Sequence, residues 1–114
     1  MAVIKMISLS SLMLTGGIIL DHTANNWFKW WEYIEKSLKM CLAWGYLTGR
    51  VPVPNVESDP VSAYNYSCNE EVIVVFLRMK ALREEQQFMG SYDKPADLWG
   101  SLCARHQKEL GVYT

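Results

Sequence analysis

The stretch Asn25-Asn-Trp-Phe-Lys-Trp-Trp-Glu-Tyr-Ile-Glu-Lys-Ser-Leu-Lys-Met-Cys-Leu-Ala-Trp44 carries the clearest structural signal in the chain. Trp27, Trp31, Ile34, Leu38 and Cys41 recur at steps of three and four residues, and Lys29, Glu32, Lys36 and Lys39 mark the opposite face. That is the period of an amphipathic helix, not the two-residue alternation of a half-buried strand. Glu32 with Lys36 and Glu35 with Lys39 are i,i+4 pairs in the order a helix favours. Thr23 or Asn25 is placed to cap the start.

On the C-terminal side, Gly45 and Gly49 break the helix around Tyr46-Leu47, and three prolines between Val51 and Pro60 make an extended connector. Val72-Ile-Val-Val-Phe-Leu77 is β-branched and apolar, which by propensity suits a buried strand. A lone strand leaves its backbone groups unpaired, however. Val72, Val75, Met79 and Leu82 keep a helical step, and the Glu and Gln residues from Glu84 to Gln87 continue it. Helix is therefore expected from Val61 to Met89. After a break at Gly90-Ser91, a final helix opens at Asp93-Lys-Pro-Ala-Asp-Leu-Trp99, with proline near its start and acid in its first turn. Trp99, Leu102, His106 and Leu110 form its stripe.

On the N-terminal side, Met6–Leu20 carries no charge and ends beyond a Gly16-Gly17 pair. It is too short for a membrane span, which needs about 20 apolar residues. It holds Ser8, Ser10 and Ser11 and no signal-cleavage pattern follows it. It reads as an arm, residues 1–20, preceding a helical domain, residues 21–110. The arm lacks helical periodicity, so Ile4, Ile7, Leu9, Leu12 and Leu14 are expected to find cover on a neighbouring copy or on their own domain. A cytoplasmic protein that pairs with itself, as a homodimer or higher assembly, is the expectation; secretion is the alternative.

The 114 residues suit one domain, with a formal charge of −1 and a pI near 6.1. No basic footprint for nucleic acid is present, so RNA binding by these residues should be weak. No membrane and no small-molecule substrate is implied. Cys41, Cys68 and Cys103 are odd in number and widely spaced, which suits reduced thiols. Catalysis has no foothold: there is no nucleophile elbow, phosphate loop, dinucleotide fingerprint or metalloprotease motif. Cys103 and His106 supply two of the four ligands a structural zinc wants, and a core cysteine beside a half-buried histidine explains them better. His22 beside Asp21 reads as a solvated turn. The neighbours Glu70-Glu71 and Glu84-Glu85 read as solvated surface, since adjacent helical side chains diverge. No cofactor, metal or catalytic residue is expected. Five tryptophans are the oddity. A base-stacking platform needs a basic groove, so the rings are expected in the core, with one or two left for an intermolecular surface.

Four segments in series resemble the Gag proteins of copia-type retrotransposons. Leu20 with Asn26-Trp-x-x-Trp30 is similar to that family's L-x-G-x-N-Y-x-x-W opening. Leu42-Ala-Trp-Gly-Tyr-Leu-Thr-Gly-Arg-Val-Pro-Val-Pro54 resembles its L-W-x-Y-L-x-G-x-x-P-x-P segment. Val72–Leu82 is placed like its next helix. Pro95-Ala-Asp-Leu-Trp-Gly-Ser-Leu102 resembles its closing T-A-x-E-x-W-x-x-L. Trp27 departs from the usual tyrosine, His22-Thr23 from the glycine, and neither the RNA-binding zinc knuckle nor the Asp-Thr/Ser-Gly protease signature occurs. The resemblance implies an all-α, retroviral capsid-like helical bundle that self-assembles into particles around the element's RNA. It also implies that Trp30, Trp44, Trp99 and Leu102 are core positions. To these the periodicity adds Trp27, Ile34, Leu38 and Leu82. A host protein derived from such a Gag, acting as an interaction module or secreted effector, is the second implication.

Overall fold

The computed structural model describes residues 3–13 and 17–109. Among them are six α-helices and no strand: α1 (Leu9–Met13), α2 (Trp27–Met40), α3 (Gly45–Thr48), α4 (Pro60–Met79), α5 (Arg83–Met89) and α6 (Pro95–Glu109). The all-α expectation holds. Leu14 and Leu110 lie outside the described residues.

α2 buries Trp27, Trp30, Ile34 and Leu38, so the stripe turns on Trp30 more than on Trp31, which is only half-buried. Glu35 and Lys39 pair at 3.2 Å on its solvent side. Neither Thr23 nor Asn25 caps it. The cap position is Asn26, whose side chain instead accepts from the Asp21 amide at 3.0 Å and donates to the Ile19 carbonyl at 2.8 Å. It thereby ties down the chain entering the helix.

α4 forms through the β-branched run because its start is well set. Pro60 stands in the first turn and the Asp59 carboxylate accepts from the Ser62 amide at 3.2 Å. The helix does not continue to Met89, as its composition suggested. It stops at Met79, with no Gly or Pro at the break, because tertiary bonds take the Lys80 carbonyl. The Trp30 indole donates to it at 2.7 Å and the Leu20 amide at 2.8 Å. The Leu82 amide returns a bond to the Leu20 carbonyl at 3.0 Å, closing an isolated parallel bridge between Leu20 and Ala81. Leu82 is consequently not core: it sits outside α4 and is 47% exposed.

The stripe expected on α4 is also displaced. Ile73, Val74, Phe76 and Leu77 are buried, whereas Val75 and Met79 are exposed. On α6, Leu98, Trp99, Leu102 and His106 are buried. All five tryptophans meet in one cluster centred on Trp99, with ring centroids between 5.5 and 6.2 Å from those of Trp27, Trp30, Trp31 and Trp44. Trp27, Trp30 and Trp99 are buried; Trp31 and Trp44 close the cluster toward solvent and are half-buried. Three of the five rings are core.

Candidate assembly surface

The arm is held by its backbone. Ser62, Asn65 and Asn69 follow one another along one face of α4 at helical spacing. The Ile4 amide donates to Ser62 Oγ at 3.0 Å, and Asn65 Nδ2 donates to the Ile4 carbonyl at 2.8 Å. Asn69 Nδ2 donates to the Lys5 carbonyl at 2.8 Å, and Asn69 Oδ1 accepts from the Ile7 amide at 2.7 Å. A further bond from Asn69 Nδ2 to the Tyr46 hydroxyl, at 2.9 Å, joins this ladder to α3. Asn69 is almost fully buried, so its amide meets its hydrogen-bonding demand here, as a buried polar group must.

Beyond the ladder the arm turns into α1, and Leu12 enters the core with no exposed surface. Ile7, Leu9 and Met13 pack against it, and Ile4 is half-buried. The arm therefore finds cover on its own domain, which the lack of helical period had made hard to foresee. Leu12 cannot serve an intermolecular contact while this packing lasts. Val3 and Met6 remain exposed.

Between the arm and the corner joining α2 to α3 runs a groove of about 680 Å³, walled by Ile4 and Ile7 on one side and by Met40, Leu42 and Val51 on the other. On its rim Met40 is 77% and Leu42 88% exposed. Leu42 is there by backbone design. The Ala43 amide donates to the Leu38 carbonyl at 2.7 Å and the Leu42 amide to the Lys39 carbonyl at 3.1 Å, the two bonds of a Schellman stop. The accompanying apolar contact is between positions 38 and 43, both fully buried. That stop needs a left-handed residue, and Leu42 supplies it at φ 59°. Glycine is the usual occupant, because a β-carbon there costs about 1–2 kcal/mol.

Of the groups weighed for chemistry, Glu85, His106 and His22 come together, as described below. Cys103 is half-buried, its thiol pushed up by burial and drawn partly back by Trp31. Among the described residues no group of three His, Cys, Asp or Glu could hold a metal ion. The Asp21 carboxylate accepts from the Thr23 hydroxyl at 2.7 Å, which, with a smaller pull from His22, holds it below its ordinary range. Glu70 is pushed up by burial, against the pull of Lys94 at 4.0 Å, while Glu71 points to solvent.

Glu85 overturns the solvated reading of its pair. It is fully buried; His106 Nε2 meets its Oε1, and Arg105 Nη2 meets its Oε2 at 3.0 Å. The His106 ring lies parallel on Trp27, centroids 4.7 Å apart, and faces the His22 ring at 5.9 Å. Both carboxylate oxygens are committed to α6, so the cluster fastens α5 to the core.

The geometry defines a helical domain whose buried polar groups hold its own segments together, with Met40 and Leu42 exposed at the rim of an apolar groove. Comparison with known proteins adds no relative: no protein family, no curated protein and no solved structure matches the chain. No helix among the described residues is long and apolar enough to cross a membrane. Sequence reasoning missed Ser62, Asn65 and Asn69 as the seat of the arm and Met40 and Leu42 as the rim of the groove. The polar steps of Ser62, Asn65 and Asn69 along α4 were the available signal.

Proposed function

We propose that this chain is a non-enzymatic structural domain that assembles with copies of itself, and that the groove between arm and α2–α3 corner carries that contact. The reading agrees with the capsid-like role implied by the resemblance to copia-type Gag proteins. The observation that carries it is Leu42. A strained backbone position presents a leucine almost wholly to water, beside Met40 and above an apolar groove. The occupant proposed is the same rim of a second copy. Two-fold pairing sets Leu42 of each copy into the other's groove, which is how an isologous contact closes.

Leu42→Gly separates the two roles of that residue. Relief of the left-handed strain gains about 1–2 kcal/mol, and the freer unfolded glycine takes back about 0.4–1 kcal/mol. Stability is thus expected to stay level or rise slightly. The same change removes a side chain whose burial is worth about 1.5–3 kcal/mol per copy, so association should weaken by about tenfold or more. Sedimentation velocity at tens of micromolar, with thermal melting alongside, reads both. Full chain sedimenting as a monomer overturns the proposal, as does Leu42→Gly associating as strongly as the original.

A further inference from the structure

The assembly groove is not made by the helices alone. One wall is the outer arm, residues 3–8, and the other is the corner joining α2 to α3. Asn69 lines the groove between them and bonds to both sides. Its Nδ2 donates to the Lys5 carbonyl in one wall, at 2.8 Å, and to the Tyr46 hydroxyl on the other side, at 2.9 Å. Its Oδ1 accepts from the Ile7 amide at 2.7 Å. Without the outer arm, Leu42 of a second copy has one wall to pack on instead of two.

The arm is held unevenly. Its inner end is anchored in the core by Leu12, with Leu9 and Met13 packed against the same core. None of residues 3–8 is fully buried: Val3, Lys5, Met6 and Ser8 are exposed, and Ile4 and Ile7 are half-buried. Four hydrogen bonds to Ser62, Asn65 and Asn69 hold this outer part. Fixing one residue's backbone costs free energy on the scale that one such bond returns. A segment with few bonds and little apolar burial therefore opens on its own, at a cost far below that of global unfolding.

We infer that the outer arm is a strap whose seating on α4 completes the assembly groove, so that seating and pairing strengthen each other. The inference rests on the groove reading and adds what regulates it. A copy that pairs only with the strapped form holds the strap down, and unseating weakens pairing by the same factor. Apparent affinity scales with the strapped fraction, so a change that frees the arm is felt at the interface without touching it.

Ser62 and Asn65 allow the test, because they hold the arm and do not line the groove. Ser62→Ala combined with Asn65→Ala in the full chain removes two of the four bonds. Both changes favour helix, and the Asp59 cap on the Ser62 amide stays, so helical circular dichroism is kept. The Ile7 amide, whose own partner Asn69 is unchanged, reports the strap by hydrogen exchange. In the double variant its exchange is expected to speed up, and association by sedimentation to weaken, each by about tenfold or more. In the original chain Ile7 exchange slows as rising concentration fills the dimer, and in Leu42→Gly it does not. Fast Ile7 exchange with undiminished association overturns the strap and leaves pairing through the groove standing. Unchanged Ile7 exchange overturns it too, since the ladder then does not hold the arm. A full chain that stays monomeric, or a Leu42→Gly variant that associates as strongly as the original, overturns the groove itself and the strap with it.

Discussion

Trp30→Ala is expected to destabilise the fold by about 3–5 kcal/mol, the cost of emptying a large aromatic site in a core. Trp30 has no exposed surface and lies between Trp27 and Trp99, ring centroids 5.7 and 5.9 Å away. Its indole also anchors the Lys80 carbonyl, so truncation loosens the break between α4 and α5 and the bridge from Leu20 to Ala81. Trp30→Phe separates these contributions: it restores much of the volume but not the hydrogen bond, and should fall between the two. Urea denaturation of the three proteins gives the comparison. A Trp30→Ala midpoint equal to that of the original means the site is not the hub described here.

Glu85→Ala is expected to cost a similar amount, about 3–5 kcal/mol, for an unrelated reason. Removing one member of a buried ion pair strands the other, and that penalty exceeds the pair's net worth. Here the stranded groups are Arg105 and His106, both turned toward a carboxylate that has no exposed surface. Replacing Glu85, Arg105 and His106 together by apolar residues of similar size should come close to neutral, because nothing is then left unpaired. Denaturation of the single and triple variants distinguishes a fastening from a packing role. If Glu85→Ala loses less than about 1 kcal/mol, the ordinary scale of a surface change, the carboxylate is not holding α5 to α6.

Legibility followed locality. Helices α2 and α6 could be read because each turns one face inward and the period of that face is written in consecutive residues. α4 was read as helix from the step of Val72, Val75, Met79 and Leu82, yet Val75 and Met79 are exposed, Val72 is only half-buried and Leu82 falls beyond its end. The inner face of Ile73, Phe76 and Leu77 has the same period, and periodicity alone does not say which of two apolar faces meets the core. The break at Lys80 was illegible because it is made by Trp30 and Leu20, far away in sequence. Glu85 looked like one of two surface acids because its partners lie 20 and 21 positions on. For the assembly surface, the apolar character of the arm was plain. Its intramolecular seat was not, since that depends on three polar residues of α4 whose direction only the fold reveals. The left-handed turn at Leu42 escaped notice because no glycine marked it.

The manner in which the arm is seated bears on how its sequence can drift. Ser62, Asn65 and Asn69 take hold of peptide groups and ignore side chains, so exchanges at Lys5 or Met6 leave every one of those bonds in place. Proline is barred at positions 4 and 7, whose amides are donors. An inserted or deleted residue between Ile7 and Leu12 is tolerated far less, because the ladder and the core then ask for different registers. The arm is thus a length standard more than a sequence: its letters can change while its count cannot.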